Sequence, residues 1–256
     1  VKKSLIKFPI VALAASAMLL AACGDEETAT PKKTTEQTTE TAAQSEETST
    51  ETTEEEATET EETIDEPERD AGGYIIDQEP ATEVKKVDGI VLANKRYPMP
   101  SDYAPGESAE ARSAFEKLNA EAKQAGYTFN AFSTYRSYER QNELYNNYVA
   151  KDGQEAADRY SARPGFSEHQ TGLAFDIGDV NNPGDYASNR FGETEAGKWL
   201  ADNAHKYGFI MRYPDGKEDI TGYMYESWHF RYVGVDIATE IYNNDSTLEE
   251  YLGEQG

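Results

Sequence analysis

Along the second half of the chain, apolar positions recur with periods that predict its elements. Between Ser108 and Ala125 the residues Ala111, Phe115, Leu118 and Ala122 return every three or four positions, which predicts a helix closed by Gly126. Thr128–Ser133 alternates apolar and polar residues, as a half-buried strand does. Ser137–Val149 predicts a second helix, with Tyr138, Leu144, Tyr145 and Tyr148 at mixed spacings. Leu173–Ile177, Phe209–Arg212 and Trp228–Val233 predict strands; Glu193–Tyr207, closed by Gly208, and Asp236–Tyr242 predict helices. Upstream, Ile90–Asn94 is a short apolar run with a polar stop, and Pro98, Pro100 and Pro105 punctuate an irregular stretch. Helices and strands mix without a regular alternation. The predicted class is therefore α+β, one compact domain with a small antiparallel sheet flanked by helices.

The pattern vanishes over residues 25–70, where Thr and Glu dominate and Ile64 is the one large hydrophobic residue. Such a segment cannot bury enough apolar surface to offset its ordering entropy, and its like charges extend it. Ahead of it, Lys2, Lys3 and Lys7 precede an apolar run from Ile10 to Ala22, too short for a confident spanning helix and laid out like a secretory signal. The run ends Leu20-Ala21-Ala22-Cys23-Gly24, which resembles the bacterial lipobox. That resemblance implies lipidation of Cys23 and a place on the outer face of the cell membrane. The expected organisation is a signal peptide over 1–22, an acidic disordered stalk over 23–73 and a folded domain over 74–256, with order beginning between Gly72 and Val87.

Charge and chemistry narrow the picture. The formal net charge is -25, so a nucleic-acid partner, which needs a basic footprint, is excluded. One cysteine rules out an intramolecular disulfide and a cysteine-rich metal site. Any metal must use imidazole and carboxylate. Of the three histidines, His169 and His229 sit in carboxylate-rich settings. Metal-assisted amide hydrolysis needs three protein ligands, an open position and a separate carboxylate as base. His169, Asp176 and His229 can supply the ligands and Glu226 the base; a structural role for either histidine remains open at this level. His169 and Asp176 are seven apart, an odd separation that would place them on opposite faces of a straight strand. Both reach one metal only if the chain turns between them, and Gly172 permits that turn. Glu226 and His229 are three apart, which suits a helical turn or a bend entering a strand. His205 falls in the last turn of a predicted helix, where a cation suits the helix dipole, and reads as structural.

The stretch Ser167-Glu168-His169-Gln170-Thr171-Gly172-Leu173-Ala174-Phe175-Asp176 resembles the metal motif of the VanY-type D-alanyl carboxypeptidases. Glu226, Trp228 and His229 resemble that family's second motif; Ser133-Thr134-Tyr135-Arg136-Ser137 with Gln141 is similar to its substrate motif. Asn94-Lys95 with Met99-Pro100-Ser101-Asp102-Tyr103 resembles its N-terminal motif, so the likeness spans about residues 88–235. It implies a zinc carboxypeptidase that removes a terminal D-alanine from peptidoglycan stem peptides. Zinc would be held by His169, Asp176 and His229, with Glu226 as base and Arg136 binding substrate and stabilising the oxyanion. Gln141, Arg163 and Ser167 would contact the peptide end, Arg163 as the cation for its free carboxylate, and Trp228 would wall the site. Whether the chain acts as a D,D- or an L,D-carboxypeptidase stays open, although the Ala162–Gly172 stretch looks slightly closer to the L,D members. A peptidoglycan endopeptidase and a non-catalytic wall-binding lipoprotein are the rival readings, and a monomer is expected.

Overall fold

The computed structural model describes residues 66–254 and 256; the signal peptide, Cys23 and most of the stalk lie outside them. In chain order the elements are β1 (Lys86–Val87), β2 (Ile90–Val91), α1 (Ala109–Gln124), β3 (Phe129–Ser133), α2 (Tyr138–Asp152) and α3 (Gln154–Tyr160). Then follow β4 (Ala174–Asp179), α4 (Arg190–Glu193), α5 (Glu195–Asn203), β5 (Phe209–Met211), α6 (Glu218–Thr221), β6 (His229–Tyr232), α7 (Val235–Asn243) and α8 (Leu248–Leu252). The predicted helices at α1, α2 and α7 and the strands at β3 to β6 form where the periodicity places them. Ser108 and Ser137 cap α1 and α2 by accepting from the backbone N–H of Ala111 and Arg140.

One expected helix divides. Glu193–Tyr207 is instead α5 followed by a 3-10 turn, Ala204–Tyr207. Thr194 is extended and caps α5 through Gly197, which separates α4 from it. His205 lies on that turn, buried and stacked on Tyr242 at 3.8 Å between ring centroids. Burial, aided by Lys206, lowers its pKa, against the cation that a helix end would favour.

β3, β4, β6 and β5 form, in that order, a four-stranded antiparallel sheet; β1 and β2 make a separate hairpin. The strand period sorts residues onto two faces. Phe175, Ile177, Phe209 and Phe230 face α1 and α5, burying against Phe115, Leu118 and Leu200. Asp176, His229 and Arg231 fall on the other face. There Asp176 pairs directly with His229, and Ala174 with Arg231. A bulge in β3 between Ala131 and Ser133 sets Ala131 against Ile177 yet Ser133 against Asp176. The extra residue switches Ser133 to the Asp176 side of the sheet.

Fixed contacts begin earlier than composition suggests. Arg69 bridges to Ile75, Asp70 accepts from the backbone N–H of Gly72 and Tyr74, and Tyr74 is buried. This polar segment is held by partners far along the chain, above all Arg163, and composition does not display those.

Candidate active site and metal centre

Three elements converge on the polar face of the sheet. His169 lies on a 3-10 turn, Glu168–Thr171, which Gly172 ends at φ 71. A Cβ at Gly172 would collide with the Gly106 carbonyl, so the turn demands glycine both for its backbone angle and for that close approach. The chain thus turns between His169 and Asp176, as their odd separation requires. Asp176 is in the middle of β4, and His229 opens β6 opposite it. Glu226 sits on a turn entering β6, its carbonyl accepting from the His229 N–H at 3.3 Å.

The ligand atoms of His169, Asp176 and His229 all lie within 4.8 Å of one another, and all three residues are buried. His169 Nε2 is 3.1 Å from Asp176 Oδ2, and His229 Nδ1 is 3.3 Å from Asp176 Oδ1. The other nitrogen of His169 lies 2.6 Å from the Thr134 carbonyl; donating there leaves Nε2 to face Asp176. Asp176 Oδ1 is buried without a hydrogen-bond partner among the described residues. A buried carboxylate oxygen left open beside two imidazole nitrogens fits a cation, and the donor set of two nitrogens and one oxygen suits zinc. Burial alone would raise the Asp176 carboxyl, but His169 and His229 hold it well below the usual carboxylate range. Burial and the neighbouring Arg136 lower the His169 pKa. For His229 burial acts downward as well, yet Asp176 and Glu168 lift it to about 9.

Around this centre lies a cleft of about 340 Å³ lined by Arg136, Ser167, Glu226 and Trp228, with Tyr213 and Tyr223 on its walls. Glu226 Oε2 is 3.5 Å from His229 Nδ1. Burial pushes the Glu226 carboxyl up to about 8, with Asp176 adding to the rise and His229 and Arg136 opposing it. Arg136 is the one Lys or Arg among the described residues lining the cleft. Its guanidinium donates to Gln141 Oε1 at 2.8 Å and to Ser133 Oγ at 3.0 Å, and lies 3.7 Å from Asp176.

Two of the expected substrate contacts take other roles. Gln141 is buried outside the cleft lining; it holds Arg136 with its carbonyl and bonds the Ala162 carbonyl with its amide at 2.6 Å. Arg163 also lies outside the lining. Its guanidinium is paired with Asp158 and Asp70, each at 2.7 Å, and stacks over Tyr74 at 4.1 Å. With its donors engaged by two carboxylates it is not the cation for a peptide carboxylate, and Arg136 is left as the candidate. Sequence reasoning also missed Glu168, whose Oε1 accepts from Arg212 at 2.8 Å and Arg231 at 2.7 Å. Burial would raise its pKa, but the two arginines hold it well below the usual range. A charged residue next to His169 was the available signal; its partners are distant in sequence.

Comparison with known proteins adds the following. The sequence model of a family described as VanY, D-alanyl-D-alanine carboxypeptidase, matches residues 106–235. A D-alanyl-D-alanine carboxypeptidase of Enterococcus faecalis is 35% identical over 181 residues, 64% of this chain and 65% of that protein. The crystal structure of an L,D-carboxypeptidase from a pneumococcal Streptococcus superposes with a TM-score of 0.59 at 50% identity, covering 65% of this chain and 88% of that one. A vancomycin-resistance D,D-pentapeptidase in complex with Zn(II) superposes with a TM-score of 0.55 at 35% identity, covering 63% and 97%.

Proposed function

Because the chain belongs to the VanY family of D-alanyl-D-alanine carboxypeptidases, we propose that it is the L,D-acting form, releasing the terminal D-alanine of tetrapeptide stems. The chain is a zinc-dependent carboxypeptidase of peptidoglycan stem peptides. The observation that carries the activity is the closed set of His169, Asp176 and His229 with Glu226 beside it in one cleft. The L,D assignment is supported by the greater identity to the L,D structure than to the D,D one.

When bound, zinc supplies a Lewis acid that polarises the scissile carbonyl and lowers the pKa of an attacking water. The residues of the chain do the remainder. Glu226, buried in the cleft beside His229, takes a proton from the attacking water and returns it to the leaving amine. Water is thereby added across the amide: the carbonyl carbon gains the hydroxyl and the D-alanine nitrogen gains the proton. Arg136, fixed by Gln141 and Ser133, presents a preorganised guanidinium to negative charge developing on the carbonyl oxygen or to the peptide's carboxylate. Trp228 and Tyr213 form part of the cleft wall around these groups.

Digesting purified tetrapeptide and pentapeptide stems and weighing the products tests the L,D assignment. D-alanine release from the tetrapeptide at a kcat/KM at least tenfold higher supports it, and a preference for the pentapeptide overturns it. We also propose that Cys23 is lipidated, which would hold a monomeric enzyme on the outer face of the cell membrane. The lipobox resemblance supports this. Release of the Cys23→Ala protein into the culture medium is the expected result; retention of that variant on the membrane would refute the anchor.

A further inference from the structure

We propose that Glu168 is a positioning residue for the metal centre: it holds the Nε2 side of the His229 ring so that Nδ1 faces His169 and Asp176. The inference rests on the zinc site and is independent of which stem is cut.

A neutral imidazole carries its proton on one nitrogen and offers a lone pair on the other. His229 Nδ1 faces inward, 3.3 Å from Asp176 Oδ1 and 3.5 Å from Glu226 Oε2. The ring can present that lone pair only if Nε2 carries the proton, and a buried N–H needs an acceptor. Among the described residues, His229 Nε2 has no hydrogen-bond partner within ordinary geometry, and neither has Glu168 Oε2; the two atoms lie 3.5 Å apart. Each is the candidate partner of the other. The arrangement parallels His169, whose outward nitrogen meets the Thr134 carbonyl. Both metal-facing rings thus have an acceptor behind them, one a carbonyl and the other a carboxylate. Acceptors of this kind fix tautomer and ring orientation in metal sites.

The chain also invests much structure in keeping Glu168 charged and still. Its side chain is fully buried, as are those of Arg212 and Glu249, with Arg231 nearly so. Glu168 Oε1 takes both arginines, which leaves Oε2 for His229. Arg212 makes a two-pronged contact to Glu249 on α8, at 2.8 and 2.5 Å. Glu249 in turn accepts from Asn94 at 3.1 Å, and Arg231 donates to the Val91 carbonyl at 2.6 Å. A buried ionic network is often no more stabilising than an apolar core of the same volume. Its directional character, delivered to one imidazole, gives it a use that stability alone would not.

The experiment has three readouts. In the zinc-loaded wild type, nitrogen-15 NMR of the histidine rings should show His229 protonated at Nε2, with slow solvent exchange, and unprotonated at Nδ1. The opposite tautomer overturns the proposal. Next, zinc affinity is measured by chelator competition, without substrate, for Glu168→Gln and for the charge-balanced pair Glu168→Met with Arg231→Met. The expected losses are about tenfold for the single change and about 10–100-fold for the pair. Finally, at saturating zinc the pair should lower kcat with KM nearly unchanged. A folded variant pair whose zinc affinity stays within twofold of wild type refutes the positioning role. If neither variant folds, the wild-type imidazole spectrum decides. Affinity and tautomer are read without a stem peptide, so failure of the L,D assignment would leave these outcomes untouched.

Discussion

Replacing Arg163 by Met separates a substrate-binding arginine from a structural one. Its guanidinium bridges Asp158, whose side chain is 1% exposed, and Asp70, whose side chain is 32% exposed. Arg163→Met keeps much of the aliphatic stem over Tyr74 but strands the buried Asp158 carboxylate with the Tyr145 hydroxyl as its remaining side-chain donor. Removing one partner of a buried pair costs about 3–5 kcal/mol, and the partial exposure of Arg163 argues for about 3 kcal/mol. For a domain of this size that lowers Tm by about 6–12 °C. Calorimetric melts and steady-state kinetics on a tetrapeptide at 25 °C, where the variant stays folded, are the paired assays. KM should stay within about twofold of wild type. Adding Asp158→Asn should recover part of the loss, giving a coupling of at least about 1 kcal/mol in the double-mutant cycle. A Tm within 2 °C of wild type together with a tenfold rise in KM would show that Arg163 serves the substrate and that the ion-pair reasoning is wrong.

Other outcomes follow from the same geometry. Glu226→Gln should retain zinc while turnover falls below detection; near wild-type activity would remove Glu226 as the base. Arg136→Lys, which cannot reproduce the forked contacts to Gln141 and Ser133, should lower kcat by about 100-fold, and a loss under threefold would sink its oxyanion role. Zinc at 100 times its dissociation constant should stabilise the apo-protein by about 2.7 kcal/mol, read as a rise in Tm; no rise would contradict ligation by the folded site. Burial acts to raise the Asp70 pKa, but Arg163 and the backbone donors of Tyr74 and Gly72 outweigh it and hold it below 3.8. The unfolded chain therefore binds more protons at acid pH, and the Asp70 contribution is full above 3.8 and lost as pH falls through the folded value. Asp70→Asn should flatten the acid limb of a Tm-against-pH curve, and an unaltered limb would argue against the pairing. Gly172→Ala should cost at least about 2 kcal/mol through its positive φ and the Gly106 carbonyl; normal stability would mean that the turn can relax.

What the sequence disclosed divides by range. His169, Asp176, His229 and Glu226 were legible as candidates because each lies in a short motif that resembles a known family's, and the structure brings all four together in one cleft. The turn at Gly172 was inferred from parity alone and is present. The α1 face was legible because helical periodicity reports burial directly. Arg163 misled because a lone arginine beside a metal motif looks available, whereas Asp158 nearby and Asp70 far upstream in the chain both occupy it. Gln141 was assigned to substrate because its position on α2 does not reveal that Arg136 intercepts it. Glu168 stood in plain view, but its significance depends on Arg212 and Arg231, which only the pairing of β5 with β6 brings alongside.

The pairing of Asp176 with His229 has a consequence for how this scaffold can change. Two of the three ligands are indexed to each other by the hydrogen-bond ladder, not by the loops that join their strands. Inserting a single residue in β4 between Ala174 and Asp176 would turn Asp176 to the opposite side of the sheet. Insertions in the loops of the long excursion between β4 and β6, outside β5 and the Glu226 turn, carry no such penalty, because the ladder restores the same pairing whatever length of loop intervenes. Diversification is thereby channelled into that excursion, which supplies Ala187, Tyr213 and Tyr223 to the cleft wall. New specificities can be sampled there by loop replacement while the coordination geometry is inherited unchanged.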